Sequence, residues 1–123
     1  MKKILSIIIC IFLMLPIITA AAEESDVKTL GVLSYKVENT AVTITDCDAN
    51  ATGVIEIPAE IDGLPVTTIG NHAFSGCKSI ENVIIPNSIT TIGRAAFLEC
   101  HMLKNMTIPD SVTSIETSPF FRC

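Results

Sequence analysis

A pattern that recurs every 23 residues dominates the second half of the chain. Each copy carries a phenylalanine followed three positions later by a cysteine: Phe74 and Cys77, Phe97 and Cys100, Phe120 and Cys123. A fixed period in the twenties is typical of stacked coils, in which each coil covers apolar side chains of its neighbour. The sequence therefore predicts a solenoid that presents a surface to a partner, and it does not predict a catalytic pocket.

The first 22 residues have the organisation of a secretory signal peptide. Lys2 and Lys3 precede an uncharged apolar run over residues 4–18, and three alanines at 20–22 precede Glu23. The run is about 15 residues long, which is shorter than the roughly 20 residues that a membrane-spanning helix needs. We therefore predict a secreted or cell-surface protein that keeps no membrane span after the signal is cleaved.

Residues 23–123 are too few for more than one domain. They contain all 13 acidic residues but only six of the eight basic ones, so their net charge is 6 − 13 = −7. A negative balance disfavours nucleic acid as a partner, because binding to phosphates depends on Lys and Arg. It suits a soluble exported protein.

The sequence predicts four segments along the chain. A signal peptide over 1–22 is followed by a flexible polar segment over 23–29. Residues 30–53 alternate apolar and polar positions around a turn at 38–40 and do not match the repeat, so they predict an N-terminal β-hairpin cap. Residues 54–123 form about three coils, and the last is incomplete and uncapped because the sequence stops inside the third repeat.

Each predicted coil begins with a short strand that ends at a proline: Pro58, Pro86 or Pro109. Apolar positions that recur with the period are expected to point inward. The predicted core consists of Ile69, Phe74, Cys77, Ile85, Ile92, Phe97, Cys100, Ile108, Ile115 and Phe120.

Two sets of residues are candidates for contact with a ligand. Glu56, Ile84 and Thr107 are the outward positions of the three predicted strands, so they should form a row. The first coil also carries five extra residues, which predict a turn that protrudes at Asp62, Gly63 and Leu64. Insertions in solenoids map to surface loops, often on the binding side.

The cysteines that follow the period favour a stack of buried thiols, because a repeating apolar slot explains all three at once. A disulfide between neighbouring coils and a metal site are the alternatives. Cys47 lies outside the repeat, and its partner cannot be read from the sequence.

Neither a cofactor nor an enzymatic activity is predicted. Residues 46–50 imitate the start of a calcium loop, but Ala51 and Ile57 stand where the glycine and the bidentate glutamate belong. His72 and His101 occupy different repeat positions, and no spacing joins serine, histidine and aspartate into a triad.

The stretch from Pro86 to Pro109 reads Pro-x-Ser-Ile-Thr-Thr-Ile-Gly-x-x-Ala-Phe-x-x-Cys-x-x-Leu-x-x-Met-x-Ile-Pro. It resembles the BspA-type leucine-rich repeat of secreted and surface proteins, chiefly bacterial, and the resemblance covers roughly residues 30–123. It implies a right-handed solenoid with short strands and a role in adhesion or ligand binding, and it brings no catalytic residues. Glu116 departs from the pattern because it replaces the repeat glycine.

The expected function is non-catalytic binding of a protein or a glycan, as in adhesion. The alternative is an N-terminal module or truncated remnant of a larger exported protein, possibly an enzyme. The uncapped third coil further predicts that the chain associates with itself, since an uncovered strand offers unpaired backbone groups, or that this coil frays.

Overall fold

The computed structural model describes residues 27–123, so the predicted signal peptide and residues 23–26 lie outside the described residues. This part of the chain contains β-strands and no helix. The strands are β1 (Lys28–Leu30), β2 (Leu33–Glu38), β3 (Ala41–Cys47), β4 (Gly53–Glu56), β5 (Glu60–Ile61), β6 (Leu64–Ile69), β7 (Ile80–Ile84), β8 (Thr91–Ile92) and β9 (Ser114–Ile115).

The first three strands form an antiparallel unit, which we call the β1–β3 unit. The turn between β2 and β3 contains Asn39 with a positive φ of 59°, a backbone conformation that asparagine tolerates better than most residues. Strand β3 alternates, and its Val42 and Ile44 are fully buried. The expectation of a flexible segment up to residue 29 is wrong at its end, because Lys28 and Thr29 pair with the edge of β2 in β1.

Three repeats follow, which we number as repeat 1 (54–81), repeat 2 (82–104) and repeat 3 (105–123). They contribute to two sheets. In the larger sheet β3, β6, β8 and β9 run parallel, and the smaller sheet contains β4 and β7. The strand expected around Thr107 is absent, because repeat 3 joins the smaller sheet only through a single bridge between Asn82 and Asn105.

Backbone hydrogen bonds join each repeat to the next at the same positions. The Phe74 amide donates to the Ala96 carbonyl at 2.7 Å, and the Phe97 amide donates to the Pro119 carbonyl at 2.8 Å. Residues 72, 95 and 118, spaced by one period, all have positive φ values between 50° and 61°. The repeats are therefore copies of one backbone turn stacked in register, and this register places equal positions above one another.

The core lies between the two sheets and consists of apolar side chains and thiols. Phe97 is stacked between Phe74, with ring centroids 5.1 Å apart, and Phe120, at 5.5 Å. Seven of the predicted core residues are buried: Ile69, Phe74, Cys77, Ile85, Ile92, Phe97 and Cys100.

Burial decreases in repeat 3. Ile108 and Phe120 are only partly buried, although both pack against the core. Ile115 is 47% exposed, so the expectation that it belongs to the core is wrong. Its counterpart Ile92 is fully buried because β8 has a strand on each side, whereas β9 is the last strand of its sheet.

This difference predicts unequal effects for one substitution made in two repeats. Phe97→Ala should lower the free energy of unfolding by about 3–5 kcal/mol, as truncation of a fully buried phenylalanine does. Phe120→Ala should cost clearly less, because Phe120 is partly exposed and has a ring neighbour on one side only. Urea unfolding of both variants measures the difference. An equal loss of stability would show that repeat 3 is packed as tightly as repeat 2.

Candidate functional site

The smaller sheet presents two exposed rows of side chains. In the pairing of β4 with β7, Val54 lies opposite Asn82 and Glu56 lies opposite Ile84. The bridge from Asn82 to Asn105 extends the first row to repeat 3. Thr107, two residues further on, extends the second. We call this surface the β4–β7 face, and it consists of Val54, Glu56, Asn82, Ile84, Asn105 and Thr107.

The three predicted outward residues thus lie in one of these rows, and the other row was missed by sequence reasoning. Val54, Asn82 and Asn105 each precede a predicted outward residue by two positions. Side chains in a strand alternate between faces, so the period of two was the signal that could have found them. The apolar residues of the set are Val54, with 59% of its surface accessible, and Ile84, with 46%.

A cleft with a volume of about 430 Å³ lies on this face between repeats 2 and 3. Its walls include the side chains of Ile84 and Met106 beside amide, hydroxyl and carboxylate groups from Asn82, Asn87, Asn105, Thr107 and Asp110. A partner that settles here would meet hydrogen-bonding groups arranged around an apolar centre.

A second cleft of about 430 Å³ lies where the turn between β1 and β2 meets β4. It is bordered by Leu30, Val32 and Val54, which are 48%, 38% and 59% exposed. Surface apolar residues are ordinary when scattered, but a contiguous group marks an interaction site more often. The β4–β7 face is therefore continued by apolar surface at its N-terminal end and by polar groups at its C-terminal end.

Ion pairs join the repeats beside this face. Lys104 Nζ lies 2.9 Å from Glu81 Oε2, and the two residues are one period apart. Arg122 Nη1 and Glu99 Oε1 make the equivalent contact at 3.2 Å on another part of the surface. These side chains are largely exposed, so each pair contributes little to stability. Among residues 27–123, Glu56 and Asp110 around the face take part in no ion pair.

The five extra residues of repeat 1 form a β-hairpin. Glu60 in β5 pairs with Pro65 in β6, and Asp62 and Gly63 make the two-residue loop with positive φ values of 54° and 80°. Two consecutive positive φ values define the tight turn that hairpins prefer, and glycine adopts them without strain. The loop residues are exposed, but Leu64 is half-buried and packs against the core.

The structure does not bring the two predicted sets together in one sheet. The hairpin extends β6, which belongs to the larger sheet, whereas Glu56 and Ile84 lie in the smaller one. The β4–β7 face is the stronger candidate because it combines adjacent exposed side chains with two clefts.

The repeat cysteines occupy a common slot. The Cys100 thiol donates to the Phe74 carbonyl at 3.0 Å, and the Cys123 thiol donates to the Phe97 carbonyl at 2.7 Å. Cys100 is fully buried, and this burial raises its pKa from 9.0 to about 12. Cys123 is exposed. Within residues 27–123, no group of three or more potential metal ligands is found.

The remaining candidate features are the two histidines and a helix that could span a membrane. His72 and His101 are both exposed and belong to different repeats. No helix among residues 27–123 is long and apolar enough to span a membrane.

A family model of the BspA type leucine rich repeat region, described with six copies, matches residues 54–123. The chain belongs to this family. The match covers the three repeats and begins at Val54, after the β1–β3 unit. A comparison with curated proteins found no match.

Solved structures of bacterial leucine-rich repeat proteins resemble this fold. The leucine rich repeat protein TpLRR from T. pallidum is 30% identical with a TM-score of 0.72, over 78% of this chain and 45% of that protein. A leucine rich cell surface protein from Faecalibacterium prausnitzii is 29% identical with a TM-score of 0.69, over 83% and 29%. A leucine-rich repeat protein from Bacteroides capillosus is 26% identical with a TM-score of 0.62, over 78% and 91%. The chain thus spans less than half of the first two relatives.

The thiol environments predict selective labelling under reducing conditions. Iodoacetamide at mildly alkaline pH should modify Cys123 in the folded protein and leave Cys100 unmodified, because alkylation requires an accessible thiolate. Denaturation should make both reactive. Mass spectrometry of the digested protein measures the extent at each site. Equal labelling of the two residues before denaturation would contradict the burial of the Cys100 slot.

Proposed function

We propose that this leucine-rich repeat protein is exported and binds a protein partner through the β4–β7 face. In this proposal the stacked repeats form a right-handed solenoid, and the β1–β3 unit covers its N-terminal end as a cap. The observation that carries the proposal is the pair of exposed rows that join Val54 and Ile84 to polar neighbours across three repeats. Repeat proteins commonly bind partners on such extended surfaces.

The composition of the face favours a protein over a glycan as the partner. The chain contains no Trp, its one Tyr (Tyr35) is buried, and the exposed Phe121 does not belong to the β4–β7 face. The face therefore offers aliphatic contact and hydrogen bonds but no aromatic ring. An apolar centre with a polar margin is the usual composition of a protein–protein interface. The carboxylates of Glu56 and Asp110 favour a partner that carries Lys or Arg.

Export is supported by the sequence of residues 1–22 and by relatives. The positively charged start, the apolar run and the small residues before Glu23 fit a signal peptide. The F. prausnitzii relative is described as a cell surface protein. We therefore place this chain outside the cell, secreted or at the surface, in a non-catalytic adhesion-type role. This inference from family likeness concerns location and class, and it does not identify the partner.

A second candidate is an N-terminal module of a larger exported protein, which could include an enzymatic part. It is favoured by the length of the first two relatives, of which this chain covers 45% and 29%. Sequencing the gene beyond the codon for Cys123 tests it: an open reading frame with further repeats or another domain supports the module, and an immediate stop codon excludes it.

Self-association is a further property that we propose for the isolated chain. Ile115 and Phe121, both in repeat 3, are 47% and 55% exposed. Ile115 lies in the edge strand β9, and Phe121 is a second exposed apolar residue of repeat 3, so both offer surface on which a second copy can pack. Light scattering over a concentration series should detect association, and Ile115→Asp should reduce it. A protein that stays monomeric at all concentrations would overturn this proposal.

The β4–β7 face is tested by a substitution with a matched control. Ile84→Asp should reduce binding to a protein partner at least about tenfold, because it places a charge at the centre of the apolar contact. Met102→Asp is the control, since Met102 is 47% exposed, close to the 46% of Ile84, and does not belong to the face. Binding of labelled chains to arrays of purified extracellular matrix proteins and of glycans measures the effect.

The arrays also separate the partner classes. Binding to a protein that is lost in Ile84→Asp and kept in Met102→Asp supports the proposal. Binding to glycans alone would replace the protein partner by a carbohydrate. Equal binding of both variants would place the binding site outside the β4–β7 face.

A further inference from the structure

The thiol of Cys77 has a different environment from the thiols of the later repeats. Cys100 and Cys123 each donate to the carbonyl of a phenylalanine 26 residues earlier. The chain has no phenylalanine at the corresponding position before Cys77, where Ala51 stands. The Cys77 thiol instead contacts the Cys47 carbonyl at 3.6 Å and the Asp48 carbonyl at 3.8 Å. It therefore faces the end of β3 rather than another repeat.

A second thiol lies at this place. Cys47 is the last residue of β3, and its sulfur also contacts the Asp48 carbonyl, at 3.8 Å. Both sulfur atoms thus lie within 3.8 Å of one oxygen atom. Interaction with the Cys77 thiol is the main cause that raises the pKa of Cys47, ahead of burial and of the Asp46 and Asp48 carboxylates. Two thiols that share their contacts in this way are neighbours.

The surroundings fix both cysteines. Cys47 and Cys77 are 4% and 0% exposed. The Asp48 amide donates to the Val32 carbonyl at 2.8 Å, and the Ala51 amide donates to the Asp48 carbonyl at 2.9 Å, so the loop after β3 is held at both ends. Since no third metal ligand joins them within the described residues, the pair does not have the four ligands of a structural zinc site.

We propose that Cys47 and Cys77 form a disulfide that joins the β1–β3 unit to repeat 1. In the cell the bond depends on the proposed export, because thiols are kept reduced in the cytosol. A thiolate of one cysteine attacks a disulfide oxidant and releases one thiol of the oxidant. The thiolate of the other cysteine then attacks this mixed disulfide and releases the second thiol. The protein loses two hydrogen atoms, and the oxidant is reduced to two thiols.

The bond would link residues 30 positions apart in the sequence. Closing a loop of this length restricts the unfolded chain, so the disulfide should stabilise the folded state. Burial makes both thiols inert in the folded protein, and the bond therefore forms while the chain folds. The link would hold the β1–β3 unit on the repeats even when the hydrogen bonds between β3 and β6 open.

The test is refolding in a glutathione buffer. The purified chain is reduced, denatured and refolded with equal amounts of reduced and oxidised glutathione, and remaining thiols are alkylated after acid quenching and denaturation. Digestion after glutamate gives peptides 39–56, 61–81, 100–116 and 117–123, which place the four cysteines outside the first 22 residues on separate fragments. We expect 39–56 linked to 61–81, with the other two alkylated, and a loss of two hydrogen atoms from the mass of the protein.

Variants make the assignment specific. Cys100→Ser should keep the link, whereas Cys47→Ser should leave Cys77 alkylated. The melting temperature of the parent and of Cys100→Ser should fall by roughly 10 °C or more when reductant is added. If Cys47→Ser does not fold, the peptide map and the reductant effect in Cys100→Ser still decide the question.

Two results would overturn the proposal. The first is recovery of 39–56 and 61–81 as separate alkylated peptides after refolding. The second is a link between Cys77 and Cys100 in place of the expected one. Neither result affects the proposed function, because partner binding through the β4–β7 face is measured separately and in reducing buffer.

Discussion

The rest of the structure depends on the backbone register between repeats. Amides of one repeat donate to carbonyls of the next, as from Phe74 to Ala96 and from Phe97 to Pro119. These hydrogen bonds require the backbones of neighbouring repeats to approach closely. At Gly93 an added Cβ would lie 2.7 Å from the Asn71 amide nitrogen, a distance that real Cβ atoms do not show, and at Gly70 it would lie 2.9 Å from the Ile44 carbonyl oxygen. Gly93 therefore allows the close approach between repeats 1 and 2, and Gly70 allows it between β3 and repeat 1, whereas Glu116 stands at the corresponding position of repeat 3.

Once the register is fixed, each position of the repeat becomes a row. The phenylalanines that recur at one position form a stack of rings. The cysteines that recur at another position form a column, in which the thiols of Cys100 and Cys123 donate hydrogen bonds to carbonyls of the preceding repeat. On the surface, Glu81 meets Lys104 and Glu99 meets Arg122 across one period. The β4–β7 face follows from the same rule, because outward residues from three repeats become neighbours. A short chain thus obtains a wide surface without a large core.

The period made the slots predictable from the sequence, including the inward direction of Phe97 and the outward direction of Glu56. It did not predict what depends on the presence of a neighbour. Ile115 is the same residue type as Ile92 in the same repeat position, yet it is exposed because no further strand of residues 27–123 pairs with β9. Likewise the segment around Thr107 has the sequence of a strand, but it pairs through one bridge only. The residue type at a repeat position is read from the sequence, whereas the burial of that residue depends on the repeats that pack on both sides of it.

Features outside the period could not be placed by counting, and they lie where repeat 1 meets the β1–β3 unit. Cys47 is 30 residues from Cys77 rather than 23, so only the folded chain shows that the two thiols are neighbours. The same junction supplies the apolar cleft at Val54. Repeat 1 is preceded by the β1–β3 unit and not by another repeat. Side chains outside the repeat pattern must therefore pack against its repeat positions. Distinctive chemistry is therefore concentrated at this junction, while the later repeats supply the regular surface that a partner can contact.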